Sequence, residues 1–514
     1  MRPLPDSREA ILVYRIEDLA AERPDALAVI DHDGSRWTWA QARDQMYAAA
    51  DALSAAGVRP GDAVGVMLPN GCDWLRAWWA TNLLGAVMVA INPAHRGDLL
   101  SHVVSDSGLT WLVAGPEVRD RVAEIPGHVR VIDPSVLGTG QARRPVAGPA
   151  LRLWDTAAIG YTSGTTGPSK GVVQTYAQMW RTAPVTEWSM SSDDTMLITT
   201  AMFHTGGWGP ALAAWLAGGT VALCRQFSVS RFLDDVRETG ATITLLLGVM
   251  ASILAAQPAT GNDARHTLRR AVIVPMAPDP PGFMKRFGIE TAYVMYGMSE
   301  LPQCLEWAWQ KVENPVTAGK PRDGFELRLV DEYDQDVAPG QTGELVVRAD
   351  MPWVIATEYL NRPDASARAW RNGWFHTGDQ FRVDDEGFYL FVDRATDSLR
   401  RRGENISSFE VEREVVAHPA IAEVACLGVP AEHGEHDIYV CVVPASGQQV
   451  DPVELIEFLK PRMAYFMIPR YIEVLSELPK TPSSKVAKYL LRRRELPGAA
   501  WDREAAGIRV KRDY

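Results

Sequence analysis

A chain of 514 residues, 46% hydrophobic and 23% charged, is globular and long enough for more than one domain. Its formal net charge of −12, without a long Lys/Arg block, argues against nucleic acid or an anionic membrane as the main partner; residues 400–402 form the one notable basic cluster. Five dispersed cysteines (Cys72, Cys224, Cys304, Cys426 and Cys441) make no C-x-x-C and no zinc spacing, which fits reduced thiols in a cytoplasm. The start, Met1-Arg-Pro-Leu-Pro, carries no apolar signal core. The apolar run 241–256 is too short for a span and holds Thr242, Thr244 and Ser252, so it reads as a buried strand followed by a helix. A soluble, cytoplasmic protein is expected.

In chain order, residues 15–23 read as a helix stopped by Pro24, 26–30 as a strand, Asp31-His-Asp-Gly34 as a turn and 37–39 as a resumed strand. A helical pattern over 41–56 ends at Gly57; strands at 62–67 and 87–91 flank a helix over 74–84 ended by Gly85. Strand, helix, strand in this rhythm predicts parallel βαβ units. The rhythm recurs as strand 195–200, helix 208–217, strand 220–223, helix 232–238 and strand 242–247. Residues 275–281 are proline-rich and predict an exposed or specially shaped loop, followed by a strand at 291–295. From about residue 324, short alternating strands such as 344–348 and 387–391 predict an antiparallel subdomain. Beyond Arg394 come helix 411–417, strands 421–429 and 437–443, and helix 453–462, a compact α+β unit. The expected class is therefore α/β. A large N-terminal domain (1–395) holds βαβ subdomains and an antiparallel β subdomain, and a small α+β domain (396–514) follows.

The most informative stretch is Ile159-Gly-Tyr-Thr-Ser-Gly-Thr-Thr-Gly-Pro-Ser-Lys-Gly-Val-Val173. Hydroxyls on Tyr161, Thr162, Ser163, Thr165 and Thr166 interleave with Gly164 and Gly167, and Lys170 and Gly171 close the run. Glycines let backbone N–H groups approach oxygens, hydroxyls donate hydrogen bonds and lysine adds a compact positive charge, so the composition suits a polyphosphate. It is neither a Walker A loop nor a G-x-G-x-x-G. A plain surface turn would not need this ordered spacing. Tyr296-Gly-Met-Ser-Glu300 places an acid after a tight glycine turn at a strand end, suited to Mg2+ on a triphosphate; the plain alternative is an ordinary strand-end turn. Trp374-Phe-His-Thr-Gly-Asp379 and Phe391-Val-Asp-Arg394 offer a carboxylate and a guanidinium, against a solvated turn and a surface salt bridge. His204, in Ala201-Met-Phe-His-Thr-Gly-Gly207, reads by itself more often as a structural side chain than as a catalyst, and a lysine such as Lys485 is usually just solvated.

The run Tyr161–Val172 resembles the signature of the adenylate-forming superfamily, which includes acyl-CoA synthetases, peptide-synthetase adenylation domains and beetle luciferases. The resemblance covers about residues 16–494. It implies a large N-terminal domain and a small lid that rotates between half-reactions. By that likeness Thr162, Ser163, Gly164, Thr165, Thr166, Gly167 and Lys170 close over the ATP phosphates, with Thr165 among the catalytic groups. Tyr296, Gly297 and Ser299 adjoin the nucleotide, and Glu300 holds Mg2+. Asp379 would accept from both ribose hydroxyls, and Arg394 would contact ribose or phosphate. Leu478-Pro-Lys-Thr-Pro-Ser-Ser-Lys485 resembles the element that brings Lys485 onto the carboxylate and α-phosphate, and Gly403 lies on the expected pantetheine path. His204 would gate the way between acyl carboxylate and thiol tunnel. With it, Trp208, Val249, Met250, Met298 and Leu301 (and Leu246) fall on elements that line the family's acyl pocket. No aspartate follows Phe203, which disfavours an amino-acid substrate.

Gln257-Pro-Ala-Thr-Gly-Asn-Asp263 and the stretch from Asp393-Arg394 through Gly403-Glu-Asn-Ile406 look most like the crotonobetaine/carnitine-CoA ligase group. Three positions depart from the family pattern: Thr396 at the domain pivot, Arg402 for the first glycine of G-G-E-N, and Ser484 for the glycine before the final lysine. Serine narrows a loop that glycine leaves free. The expected function is an ATP-dependent acyl-CoA ligase that forms acyl-AMP and then the CoA thioester, with ATP, Mg2+ and coenzyme A. Alternatives are a ligase specialised for CoA thioesterification of a supplied acyl-AMP, loading of a carrier-protein pantetheine, or a non-catalytic adenylate-binding protein. Expected partners are a small carboxylic acid or its acyl-AMP, ATP and CoA, with no nucleic acid and no membrane span. Assembly is open, a homodimer included.

Overall fold

The structure is a computed structural model; it describes the chain except residues 1, 123–124, 126–127, 146–149, 163–168, 277–278, 310–316, 395–398, 402–403, 407, 432–435, 464–466, 481–485, 493, 495–499 and 511–514. It divides into two compact units. The first comprises Met1–Thr162, Pro168–Leu327 and Val347–Trp374; the second includes Arg328–Val346 and Phe375–Tyr514.

The first unit carries two sheets. One runs Arg130–Ile132, Trp111–Ala114, Ala63–Met67, Val87–Ala90, Thr156–Tyr161, Gly171–Thr175; its strands are parallel up to the last, which is antiparallel. In the other, the strands of this unit run from Thr317–Pro321 through Leu305–Trp309, Thr291–Tyr296, Arg270–Val274, Ile243–Leu247, Thr195–Ile198, Thr220–Leu223 and Leu27–Ile30 to Arg36–Thr38. Its interior is parallel and its flanks antiparallel. Near-continuous apolar strands such as Ile243–Leu247 have both faces covered, as parallel crossovers require. Helices carry the rest of the core. Trp74 and Trp78 stand 5.3 Å apart, and Trp79 and Trp215 5.1 Å, all four 0–1% exposed. Each ring this deep excludes upwards of about 150 Å² from water, and the Trp79–Trp215 contact joins the helix Cys72–Leu83 to Thr205–Leu216.

Local signals explain where elements begin. Trp39 was expected in a strand but opens the helix Trp39–Ala56. Thr38 Oγ1 accepts from Gln41 N–H and Gln41 Oε1 accepts from Thr38 N–H, a capping box that starts the helix one residue after Thr38. Gly57, at φ 113°, ends it. The expected loop 275–281 stops earlier than predicted, because Pro280 and Pro281 occupy the first helical positions of Pro280–Phe287, capped by Asp279. The helix predicted from Trp208 begins at Thr205 and runs to Leu216 with Pro210 inside it. Pro210 cannot donate to the Gly206 carbonyl, and Thr200 Oγ1 fills that place at 2.7 Å. The substitute bond ties the end of a strand to the first turn of the helix, with His204 between them.

In the second unit, Phe375–Val383 pairs antiparallel with Tyr389–Arg394. A further sheet runs Ile421–Pro430, His436–Pro444, Tyr471–Val474, Trp501–Asp502. Helices Ser408–Val416 and Pro452–Leu459 share its core, in which Val411, Val440, Leu455 and Ile468 are fully buried. The second helix is shorter than the expected 453–462. Among the described residues, no helix is long and apolar enough to cross a membrane.

Candidate active site

The run expected to hold a polyphosphate joins two antiparallel strands, Thr156–Tyr161 and Gly171–Thr175. Tyr161 lies opposite Gly171 in the antiparallel pair, and Thr162 N–H donates to the Lys170 carbonyl at 3.1 Å, closing the neck. Of the expected phosphate ligands, Thr162 and Lys170 are described; Ser163, Gly164, Thr165, Thr166 and Gly167 lie outside the described residues. Tyr161 is engaged elsewhere than expected. Its hydroxyl donates to Asp106 Oδ2 at 3.0 Å, and burial together with that carboxylate pushes the phenol well above its ordinary pKa. It holds the strand to the neighbouring helix instead of serving the loop.

The segment 356–360 runs along the outer edge of Gly171–Thr175. Val173 N–H donates to Glu358 O at 3.1 Å, Leu360 N–H to Gly171 O at 2.7 Å, and Ala356 N–H to Glu300 O at 2.8 Å. These bonds deliver Tyr359 between two of the expected groups. The Lys170 ammonium stands 4.6 Å from the Tyr359 ring centroid, a cation–π distance, and the Tyr359 hydroxyl donates to Glu300 Oε1 at 2.8 Å. Glu300 is 6% exposed and Tyr359 8%. Burial and the Glu300 charge push the Tyr359 phenol well up, so it stays a donor at neutral pH.

The turn carrying Glu300 is braced from below. Tyr296 ends its strand opposite Leu305. Met298 and Leu301 exchange N–H···O bonds of 2.9 and 3.2 Å, and Ser299 O accepts from Gln174 Nε2 and Gln178 Nε2, both at 2.9 Å. A Cβ at Gly297 would come 3.0 Å from the Gln303 backbone, so the turn requires glycine for close approach. A Mg2+ ion suits this donor set: one buried carboxylate oxygen site, beside a lysine that draws phosphate, leaves the remaining positions to phosphate and water. The described residues hold no group of three His, Cys, Asp or Glu that would build an all-protein cage.

His204 caps the helix Thr205–Leu216, its own N–H donating to Ala201 O at 3.1 Å, with Phe203 packed on it at 4.5 Å. Asn70 holds the approach: its Nδ2 donates to Thr200 O and Cys224 O, and its Oδ1 accepts from Met202 N–H at 2.8 Å. His204 and Trp208 line a narrow cavity with Tyr161, Gln174, Phe203 and Ser299. About 10 Å³ of it is open, the lower edge of what holds one water. Leu246 and Leu301 are buried outright, Met250 and Met298 are half-buried, and the Val249 side chain lies outside the described residues.

In the second unit, Asp379 is 6% exposed and is the register partner of Arg394, so the two motifs meet across one pair of consecutive strands. Its N–H donates to Thr377 Oγ1 at 3.1 Å, whose hydroxyl donates to Leu345 O at 2.8 Å; Gly378 N–H donates to Glu344 Oε1 at 3.0 Å. Gly378 takes φ +74°, which turns the strand just before the carboxylate. The Arg394 side chain, Gly403 and Lys485 lie outside the described residues, as do Thr396, Arg402 and Ser484.

Sequence reasoning passed over Tyr359, Gln174, Gln178 and Asn70. Gln174 and Gln178 were detectable in principle: each is a polar residue in a stretch otherwise buried, and such residues are hydrogen-bonded for a reason. One strand over from the turn, Glu306 lies opposite Met295. Burial pushes its carboxyl up to about 7, with Arg322 pulling down and Glu187 adding to the rise. The folded form therefore holds a proton that the unfolded chain has lost. Stability falls as pH rises from the ordinary 4.5 toward 7 and levels off above. Glu306→Gln is expected to stabilise the protein by about 1–2 kcal/mol at about pH 8 and by little at about pH 4. Thermal unfolding of both proteins at the two pH values checks it; an equal gain at both would contradict the cause.

A lysine and a buried carboxylate on one tyrosine in the first unit, and a deep aspartate opposite an arginine in the second, are groups of the kind a nucleotide-dependent enzyme uses. The comparisons agree. Residues 16–360 match the AMP-binding enzyme model and 410–485 the AMP-binding enzyme C-terminal domain. A feruloyl-CoA synthase from an Amycolatopsis species is 33% identical over 92% of this chain and 96% of its own. The crotonobetaine/carnitine–CoA ligase of Salmonella typhi is 29% identical over 92% and 97%. The o-succinylbenzoate-CoA synthetase of Bacillus subtilis, solved with its acyl-adenylate, superposes with a TM-score of 0.85 at 27% identity, covering 94% of this chain and 98% of that one; it has also been solved with ATP and magnesium. The chain belongs to the AMP-binding enzyme family. Its activity is that of an AMP-forming acyl-CoA ligase, working through an acyl-AMP with ATP, Mg2+ and CoA.

Proposed function

We propose that this ligase activates a carboxylic acid with an uncharged acyl body and divides the work among its residues as follows. The hairpin loop, with Thr162, Ser163, Gly164, Thr165, Thr166, Gly167 and Lys170, holds the triphosphate, while Tyr296, Gly297 and Ser299 shape the floor beside it. Glu300 holds Mg2+, which when bound neutralises phosphate charge. Asp379 and Arg394 hold the ribose, Lys485 supplies positive charge as pyrophosphate leaves, and Gly403 borders the pantetheine route. His204 gates the acyl carboxylate, with Trp208, Val249, Met250, Met298 and Leu301 around the acyl group. The observation that carries the reading is the placement of Lys170 and Glu300 on the face and hydroxyl of one tyrosine at the mouth of the loop. Catalysis is then mostly positioning and charge stabilisation.

The residues assigned around the acyl group, Trp208, Val249, Met250, Met298 and Leu301, carry no charge, so none of them offsets a cationic acid. The test is a panel of acids with ATP and CoA: hydroxycinnamates, benzoates and alkanoates against trimethylammonium acids. A preference for the cationic acids would contradict the proposal. The domain division at 395/396 and a rotating second domain belong to the same reading. Five buried cysteines, none of them in a disulfide, support a reducing compartment, and we place the protein in the cytoplasm. Uncharged Thr396 and constrained Ser484 disfavour the adenylation orientation, whereas the charge of Arg402, with Arg400 and Arg401, favours CoA phosphates. The enzyme is expected to be slower in acid-dependent ATP–pyrophosphate exchange than in CoA capture of synthetic acyl-AMP; fast exchange with slow capture would reverse this.

A further inference from the structure

We infer that Tyr359 is a positioning residue that sets Glu300 and Lys170 at a fixed spacing for the magnesium triphosphate. The inference rests on the reading of Glu300 as the magnesium carboxylate and Lys170 as the phosphate lysine. Three observations carry it. The Tyr359 hydroxyl donates to Glu300 Oε1 at 2.8 Å while its ring underlies the Lys170 ammonium at 4.6 Å, so one rigid side chain touches both groups by different chemistry. The ring itself has little freedom: it is 8% exposed, its backbone bridges Val172, and Trp370 packs against it edge-on at 5.6 Å. The segment bearing it is bonded to both motif-bearing elements, to Gly171 O and to Glu300 O.

The physical consequence is a division of labour that the two halves of the side chain make separable. The hydroxyl bears on which way Glu300 presents its carboxylate, and a carboxylate already held by a hydrogen bond loses less rotational freedom when it takes a cation. The ring face seats Lys170 without consuming its three N–H donors, which stay available to phosphate oxygens. Lysine and carboxylate are thereby kept from collapsing onto each other as an ion pair. A tyrosine is suited to this where phenylalanine or leucine would each supply one half or none.

The test is calorimetric binding of ATP to the full chain with saturating Mg2+ and with EDTA, for wild type, Tyr359→Phe, Tyr359→Leu and Glu300→Gln, with melting temperatures alongside. The wild type gains affinity from Mg2+. Tyr359→Phe is expected to lose about tenfold of that gain, the worth of a hydrogen bond to a charged group, while its affinity in EDTA is kept. Tyr359→Leu loses the gain and also weakens binding in EDTA, because Lys170 loses its seat. A Tyr359→Phe protein with the full gain, beside a Glu300→Gln protein without it, overturns the role of Tyr359 and spares that of Glu300. A full gain in Glu300→Gln overturns both. Equal weakening with and without Mg2+ in both tyrosine variants, in step with a lower melting temperature, shows a merely structural residue and also overturns the inference.

Discussion

Replacing Lys485 with alanine is expected to abolish AMP-forming activation of the acid while largely sparing thioester formation from preformed acyl-AMP. Negative charge develops between the α-phosphate and the departing pyrophosphate only in the first step, and a positioned cation acts on that charge and little else. Removing one such group costs about 10²–10³ in rate in enzymes that stabilise developing charge this way. The thiol attack on the acyl carbonyl displaces AMP and gives a lysine at the α-phosphate far less to do. The flanks of Lys485 are firm. Leu478 is buried in the core of the second unit, Lys480 bridges Val486, and Ala487 N–H donates to Pro479 O at 2.7 Å. Residues 480 and 486 therefore meet at one anchored point. Pyrophosphate exchange and CoA capture, measured separately on a variant with unchanged melting temperature, decide the matter. Equal loss in both half-reactions would remove Lys485 from the role.

Asp379→Ala is expected to weaken adenylate binding by at least about tenfold, since each hydrogen bond from a ribose hydroxyl to a charged acceptor is worth about 1.5–3 kcal/mol. The backbone that carries the carboxylate is firmly placed. It is buried, preceded by Gly378 at φ +74°, and its backbone is tied through Thr377 to Leu345. Asp379→Asn separates charge from shape, because the amide keeps one acceptor and loses the negative charge. Calorimetry with acyl-AMP should rank wild type above Asn above Ala. Unchanged affinity in the alanine variant would show that the ribose lies elsewhere.

Much of the architecture was legible because parallel strands buried on both faces leave uninterrupted apolar runs; Thr220–Leu223 matches its predicted span. Boundaries failed where a single side chain decides them. Thr38 and Gln41 cap a helix that takes Trp39 out of a strand, and a hydroxyl from Thr200 lets a helix pass through Pro210. The motifs single out Lys170, Glu300 and Asp379 as candidates because each sits in a run whose spacing has a chemical reason. Tyr359 had no such sign. Its importance comes from segment 356–360 lying along a strand far earlier in the chain, a pairing that no local pattern encodes. Gln174 and Gln178 belong to the same class, since their partner is the carbonyl of Ser299.

The central claim is that this chain joins a carboxylic acid to CoA through an adenylate. Its most direct test is a product balance: the protein with ATP, Mg2+, CoA and the best acid of the panel, with AMP, pyrophosphate and thioester each quantified over time. The account predicts the three products in equal amounts, all dependent on the acid, and acyl-AMP accumulating when CoA is left out. Formation of ADP and phosphate, or of AMP without thioester when CoA is saturating, would contradict it.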